Sequence, residues 1–254
     1  MNYLNKLYSY LLLSLISILF VNAHPATIKQ DIDWPQFMSQ QDMIWEKLPE
    51  YWYDSAFLGN GKLGLMIYKE PGKNYLRLET GNCDVHDHRT KRDVFGIPRL
   101  LTGHFALHPK GKIINGTMHL DLWNAEVSTD ITTTKGVIHL RSFVHADEMM
   151  IIVKATTEGD EHDFQWEWIA AEANSPRYLI FKRQGKANKI PKDYELNPTA
   201  KISNEKEVNL SVQKLLAGGE TSIGWQETHN PETERTLWIN LCLLYTSDAA
   251  DDKA

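Results

Sequence analysis

The chain has 254 residues, of which 42% are hydrophobic and 24% are charged, a balance typical of a globular protein. Its ten tyrosines, eight tryptophans and eight phenylalanines exclude a disordered chain, because burial of that much aromatic surface offsets the entropy lost on ordering. The net charge of -6 argues against a nucleic-acid partner, which would require a basic face to displace counterions from phosphates.

Residues 1–23 are predicted to be a signal peptide. Lys6 supplies the positive end, residues 10–21 form an apolar run, and the tripeptide 21–23 fits the small-x-small rule for cleavage before His24. A membrane anchor is the alternative, but the run is short of the roughly 20 residues that a span requires and no basic cluster follows it. We therefore expect export to the periplasm or the medium, with no membrane contact after cleavage.

The mature chain is dominated by strand-like alternation. Pro35 disfavours a helix at Trp34, and a short helical turn is predicted over residues 39–45 instead. From Ala56 onward, apolar and polar residues alternate with period two, and the turn at residues 70–73 separates two such runs, which predicts a hairpin.

Several further strands follow at short spacing. Residues 149–156 are apolar on both alternating faces, which predicts a central strand covered on both sides, whereas residues 175–207 read as a long irregular excursion. No amphipathic helix of ten or more residues is evident. The pattern predicts an all-β fold, a large antiparallel β-sandwich over residues 24–241, with no complete α/α toroid.

Residues 242–254 change character, ending in small and acidic residues without a period. They resemble translated sequencing-adapter sequence, so we expect an artefactual tail and a natural protein that continues beyond Leu241. A genuine flexible C-terminus is the alternative. The chain has two cysteines, Cys83 and Cys242, and no disulfide is expected between them because Cys242 falls in this tail.

Three glycines, Gly59, Gly61 and Gly64, surround Asn60. A phosphate cradle is excluded, because no Lys-Ser/Thr pair follows the glycines and a strand follows where a helix is required. Two readings remain open. The segment is either a tight bend that feeds a strand or a bend that brings the backbone to a sugar or to a neighbouring domain.

The segment 84–89 contains two histidines, His86 and His88, whose spacing on a strand could chelate a metal in a cupin-like site. The spacing departs from that motif and a second histidine strand is not identifiable. The alternative is a buried polar network in which Asp84 or Asp87 pairs with Arg89. We predict no metal site and no other cofactor.

Aromatic and acidic residues are the side chains that a sugar site requires. Aromatic side chains that could stack on sugar rings are Trp45, Trp52, Tyr53, Trp123 and Trp225. A glycosidase needs two carboxylates flanking the scissile bond, but spacing singles out no such pair. No Gly-x-Ser-x-Gly nucleophile elbow occurs either.

The chain resembles glycoside hydrolases of family 95 and, more distantly, those of family 65. The collinear segments that carry the resemblance are residues 51–68, residues 76–89, residues 119–126 and residues 136–146. They include Tyr51-Trp52-Tyr53-Asp54 and the stretch from Ala56 to Gly64 discussed above. The likeness extends from about Trp45 to Thr157 and fades beyond Ser175.

The resemblance implies an N-terminal β-sandwich, of the type called a supersandwich, followed by a linker and an α/α toroid of six helical hairpins. In that family the toroid carries the catalytic carboxylate, and typical substrates are terminal α-L-fucosides or α-L-galactosides. The toroid would lie past the end of this chain, so no catalytic residue is assigned and this chain alone is expected to be inactive. Candidates for the edge of the substrate site are Asn60, Asp84, Asp87 and Arg89.

Three hypotheses follow. The leading one is the N-terminal domain of an exported glycoside hydrolase, which meets its carbohydrate substrate through the full-length enzyme and packs against its own toroid. The second is a free-standing carbohydrate-binding module, which requires an exposed row of Trp or Tyr. The third is a cupin-like metalloenzyme that uses His86 and His88 and contains stoichiometric metal.

Overall fold

The computed structural model describes residues 32–87, 89, 98–229 and 234–244. The predicted signal peptide, residues 1–23, lies outside the described residues. The helices are α1 (Trp34–Ser39) and α2 (Pro176–Arg183), with 3-10 turns at Trp52–Asp54 and Ala187–Lys189. The strands are β1 (Met43–Trp45), β2 (Ala56–Gly59), β3 (Leu63–Lys69), β4 (Leu76–Asn82), β5 (Gly103–His108), β6 (Ile113–Asp121), β7 (Glu126–Thr133), β8 (Gly136–Val144), β9 (Met150–Gly159), β10 (Gln165–Ala170), β11 (Lys201–Glu205), β12 (Val208–Lys214), β13 (Glu220–His229) and β14 (Arg235–Leu244).

The described strands form two antiparallel sheets. The larger has nine strands in the order β1-β6-β7-β8-β9-β14-β13-β12-β11, and the smaller has five in the order β10-β5-β4-β3-β2. Neighbouring strands in both sheets pair antiparallel, as β8 with β9 and β4 with β5 do. The predicted all-β antiparallel sandwich is therefore confirmed.

The core lies between the inner faces of the two sheets. On the five-stranded sheet the alternating residues Leu65, Leu78 and Phe105 are fully buried, and Ile138 and Leu237 are fully buried on the nine-stranded sheet. Burial of each such side chain stabilises the fold by about 1.5–3 kcal/mol relative to an exposed one. The two-residue period seen in the sequence thus builds one apolar layer shared by both sheets.

Two specific strand predictions are confirmed. β3 and β4 form the predicted hairpin, with Ile67 opposite Leu78 across the turn. β9 lies at the centre of the nine-stranded sheet, between β8 and β14, as its two apolar faces indicated.

The N-terminal prediction was wrong. Helix α1 begins at Trp34, and residues 43–45 form a strand that pairs with β6 where a helical turn was predicted. Pro35 is tolerated because its missing N–H has no intrahelical partner in the first turn. The Asp33 Oδ1 atom also accepts the N–H of Gln36 at 3.1 Å, which caps the start of the helix.

The excursion over residues 175–207 is more regular than predicted. It contains α2, the 3-10 turn Ala187–Lys189 and the edge strand β11, whose five residues are all exposed. An exposed edge strand carries no buried alternation, which is why its sequence lacks the period-two signal. Within the described ranges, no helix has the length and apolarity needed to cross a membrane.

The last strand, β14, continues through Leu244, so three residues of the segment 242–254 pair with β13. Cys242 is opposite Ser222 in this pairing. Both Cys242 and Cys83 carry free thiols.

Gly103 allows the inner face of the five-stranded sheet to pack under Trp168. Its φ is +143°, and a Cβ atom added there would lie 2.5 Å from the Trp168 ring. We expect Gly103→Ala to lower the free energy of unfolding by roughly 1–3 kcal/mol, because it combines backbone strain with overpacking. Urea denaturation measures this.

Gly81→Ala is the matched control in the same sheet, since a Cβ atom there meets nothing within 4 Å. Equal free energies of unfolding for the two alanine variants would contradict the proposed packing under Trp168.

Candidate functional site

Asn60 occupies the bend between β2 and β3 and links the two sheets. Its Oδ1 atom accepts the N–H groups of Lys62 at 3.0 Å and Leu63 at 2.8 Å. Its Nδ2 atom donates to the carbonyls of His145 at 2.9 Å and Glu148 at 3.2 Å, in the turn between β8 and β9. These bonds support the reading of this segment as a tight bend, and the role of Asn60 at a substrate edge stays a prediction.

Asp87 and Arg89 form the predicted ion pair. The Asp87 side chain is fully buried and accepts two hydrogen bonds from the guanidinium, one of them from Nε at 2.7 Å. Arg89 also donates to the carbonyl of Glu195 and lies 4.8 Å from the ring centre of Tyr194. The hydrogen bonds to Asp87 raise the pKa of Arg89. The pair therefore fastens the loop after β4 to the excursion that carries α2.

Asp84 and His86 precede this pair on the same loop after β4. Asp84 is exposed and accepts a hydrogen bond from the Cys83 thiol at 3.4 Å, while His86 forms an isolated bridge with Arg99. His88 lies outside the described residues. Within the described ranges, no group of three metal-ligating side chains is brought together.

Three consecutive aromatic side chains, Tyr51, Trp52 and Tyr53, form an exposed group that we term the aromatic cluster. Trp52 and Tyr53 are each 62% exposed. The rings of Tyr51 and Tyr53 stack at 5.2 Å, and Trp52 meets Tyr53 edge-on at 5.7 Å. Two of the aromatic residues considered for sugar stacking, Trp52 and Tyr53, are therefore brought together at the surface.

The other three sugar-stacking candidates are dispersed. Trp225 and Trp45 are both partly buried against the core. The ring of Trp225 lies 5.6 Å from that of Phe105, and the Nε1 atom of Trp45 donates to the Asp54 carbonyl at 2.8 Å. Trp123 is 50% exposed. These three positions do not add to the aromatic cluster.

A polar network on the outer face of the five-stranded sheet was not recognised in the sequence. Arg77 contacts Glu70 at 3.0 Å and Glu79 at 3.3 Å, and the Tyr68 hydroxyl donates to Glu79 at 2.6 Å. Burial, more than the bond to Glu79, raises the pKa of Tyr68. These residues alternate with the core residues of β3 and β4, so they appeared in the sequence as ordinary outward-facing positions.

His104 lies beside this network on β5, opposite Glu79. It is 7% exposed, its Nε2 atom is buried, and that atom has no hydrogen-bond partner among the described residues. Burial, with repulsion from Arg77 as a smaller effect, lowers the pKa of His104 from 6.5 to about 4. The ring is therefore neutral at physiological pH, and the unpaired buried nitrogen costs about 1–3 kcal/mol of stability.

His104 faces a groove of about 370 Å³ between the outer face of the five-stranded sheet and α2, which we term the outer-face groove. The residues that line it are Arg77, Leu101, His104, Ala170, Ala171, Glu172, Leu179, Lys182 and Arg183. Lys182 is held by Glu172 at 3.0 Å. The groove combines cationic side chains with two buried polar atoms, Nε of Arg77 and Nε2 of His104, that lack a hydrogen bond among the described residues. No single motif in the sequence predicted this groove.

Comparisons with known proteins give similarities to solved structures only. No family model and no curated protein matches the chain. A solved structure described as "Putative kojibiose phosphorylase from human microbiome" is similar over 76% of this chain, at 12% identity and a TM-score of 0.44. This chain covers 27% of that protein, and a similarity of this degree carries no argument about function.

The Asp87–Arg89 pair yields a stability prediction. We expect Arg89→Gln to lower the free energy of unfolding by roughly 3–5 kcal/mol, because it leaves a buried carboxylate unpaired. The double variant Asp87→Asn/Arg89→Gln should lose less, since it removes both charges. Urea denaturation of the two variants measures the difference.

Arg141→Gln is the control, because it breaks an exposed pair with Glu126 and should cost no more than about 1 kcal/mol. A double variant less stable than Arg89→Gln alone would show that the pair is not the source of the stability.

His104 predicts a pH dependence. Because its pKa is lower in the folded than in the unfolded chain, unfolding takes up a proton between pH 6.5 and about 4, and the contribution of neutral His104 to stability is lost as the pH falls through that window. We expect His104→Phe to be at least as stable as the wild type at pH 7.5 and to gain relative to it at pH 4.5. Urea midpoints at the two pH values test this, and parallel pH profiles would contradict it.

Proposed function

We propose that this chain is the N-terminal β-sandwich of an exported glycoside hydrolase that acts on terminal glycosides such as α-L-fucosides. Its catalytic carboxylates would belong to a helical toroid encoded beyond Leu241. In this proposal the sandwich is the scaffold against which the toroid packs, and the substrate is a carbohydrate that only the longer protein cleaves.

The distribution of the resembling segments supports the proposal. Residues 51–68 and 76–89 supply strands of the five-stranded sheet, whereas residues 119–126 and 136–146 belong to the nine-stranded sheet. The resemblance thus follows the sandwich across both layers and is not confined to one loop.

The aromatic cluster is the observation that carries the proposal. It lies within residues 51–68, the segment at the start of the resemblance, and its rings face outward although burial would stabilise them. Exposed groups of large apolar side chains mark interaction sites, and a domain packed against the sandwich would cover them.

The buried carboxylates of the described residues are occupied by structural bonds. Besides Asp87, the other fully buried acid is Glu161, which accepts the N–H groups of Lys110 at 2.9 Å and Gly111 at 2.8 Å together with the Thr133 hydroxyl. Neither carboxylate is left to donate a proton to a glycosidic oxygen. This use of the buried acids supports a location of the catalytic pair on another domain.

A carbohydrate-binding module is the second candidate, and the stacked rings of Tyr51 and Tyr53 favour it. Open aromatic faces are suited to the apolar face of a sugar ring. The two candidates differ in what covers the aromatic cluster, which is a second domain in the first and a sugar in the other.

The test compares this chain with the product of the same gene extended beyond Leu241. We expect the extended product to hydrolyse p-nitrophenyl α-L-fucoside and this chain alone to show no turnover. Trp52→Ala should destabilise the extended product by the ~1–2 kcal/mol typical of an interface anchor, while the unfolding midpoint of this chain stays unchanged. Calorimetric unfolding and a fluorogenic assay supply the readouts.

Trp123→Ala is the matched control, since Trp123 is also exposed but lies outside the aromatic cluster. Turnover by this chain alone that disappears on mutating one of its own carboxylates would overturn the proposal. Binding of L-fucose to this chain that Trp52→Ala abolishes, without any effect on the extended product, would favour the binding module.

A further inference from the structure

We propose that the exposed basic segment around α2 binds an anionic polysaccharide. Residues 173–192 contain six Lys or Arg and no Asp or Glu, in a chain whose net charge is -6. These six cations, which we term the basic surface, are Arg177, Lys182, Arg183, Lys186, Lys189 and Lys192. The choice of a polysaccharide as the ligand rests on the proposed function, whereas its negative charge is inferred from the basic surface itself.

The basic surface is not neutralised by neighbouring acids. Lys182 pairs with Glu172 at 3.0 Å, and the other five cations have no acidic partner within the described ranges. All six are exposed. When Glu172, Asp193 and Glu195 are all counted against the six cations, a net charge of +3 remains. An acidic chain therefore carries a local positive region that is open to solvent.

Two elements bring these cations together. Arg177 of α2 lies 5.7 Å from the ring centre of Phe181, and Lys189 of the 3-10 turn lies 5.8 Å from the same ring. The Lys189 N–H donates to the Lys186 carbonyl at 3.0 Å, and a turn of this kind holds the two Cα atoms within about 7 Å. The fold thus gathers charges that repel one another, and a bound polyanion would relieve this repulsion.

The C-terminus of α2 explains only part of the positive charge. Lys182 and Arg183 lie in the last turn of the helix, where cations interact favourably with the helix dipole. That interaction falls off within the turn, so it does not account for Lys186, Lys189 or Lys192. These three lysines extend the basic surface beyond the helix, which suits an extended polymer better than a single small anion.

The surroundings of the basic surface favour a polysaccharide over a membrane or a nucleic acid. A helix that lies on a membrane separates its apolar and basic residues onto opposite faces, and α2 does not. Proteins that bind single strands stack bases on open aromatic rings, whereas Tyr178 and Tyr194 stack on each other at 5.2 Å. Sulfate or carboxylate groups require only exposed cations that donate hydrogen bonds, which this surface supplies.

Calorimetric titration of this chain with dextran sulfate and with uncharged dextran tests the proposal. Dextran sulfate should bind with an affinity that falls as salt is added, and dextran should not bind, because only the sulfate groups distinguish the two polymers. The triple variant Lys186→Gln/Lys189→Gln/Lys192→Gln should bind dextran sulfate at least about tenfold more weakly than the wild type.

The matched control is Lys73→Gln/Lys112→Gln/Lys214→Gln, which removes three charges from exposed lysines outside the basic surface. Its affinity for dextran sulfate should equal that of the wild type, and both triple variants should keep the wild-type unfolding midpoint. Absence of dextran sulfate binding, or equal losses in the two triple variants, would overturn the proposal. Equally tight binding of oligodeoxythymidylate, or of vesicles of equal parts phosphatidylserine and phosphatidylcholine, would overturn the assignment to a polysaccharide.

The fucoside assay separates this inference from the proposed function. Because p-nitrophenyl α-L-fucoside is uncharged, the extended product should keep its turnover when Lys186, Lys189 and Lys192 are replaced by Gln. Turnover by the extended product without dextran sulfate binding would overturn only the role of the basic surface. Dextran sulfate binding without turnover would overturn only the proposed hydrolase.

Discussion

The packing of the inner row of the five-stranded sheet against the nine-stranded sheet holds the rest of the molecule in place. Leu65, Leu78 and Phe105 lie in this layer, and each is flanked along its strand by a residue that must point outward. The same alternation that buries Leu76 and Leu78 therefore places Arg77 and Glu79 on the outer face. The packing of the core therefore determines which side chains lie on the outer face, where the outer-face groove is located.

Hydrogen-bonded polar side chains connect the loops to this frame. The amide of Asn60 joins a hairpin of one sheet to a turn of the other, and the Asp87–Arg89 pair joins a loop to the excursion before β11. Glu161 gathers backbone N–H groups in the same manner. The types of these residues make them candidates for a functional site in the sequence. Their hydrogen bonds within the protein show that they also stabilise the fold.

Strands could be predicted from the sequence because the alternation of apolar and polar residues is a local pattern. Contacts between residues distant in the sequence could not be predicted in this way. The β3–β4 hairpin and the central position of β9 followed from alternation over a few residues. Helix α1 was not predicted, because Pro35 disfavours a helical conformation at the residue before it, whereas the first turn of a helix tolerates proline. The pairing of Asp87 with Arg89 could be predicted because only one residue separates them on the same loop.

The outer-face groove could not be predicted from the sequence. It brings Arg77, His104 and Arg183 together from three separate elements. No sequence pattern identifies a buried nitrogen that lacks a hydrogen bond. The sequence identified Trp52 and Tyr53 of the aromatic cluster as candidates for sugar stacking, but their exposure is seen only in the structure.

The exposed rings of the aromatic cluster and the unpaired nitrogen of His104 share a physical property, which is that neither stabilises the isolated chain. Exposed aromatic rings forgo the free energy of burial, and an unpaired buried nitrogen incurs a desolvation penalty. The two features differ in how general they are. Several buried polar atoms of the described residues lack a hydrogen bond, Nε1 of Trp168 among them, so the nitrogen of His104 does not by itself indicate a ligand. The aromatic cluster joins three exposed rings in one group, which is the arrangement that a second domain or a sugar would cover in the two proposals for this chain.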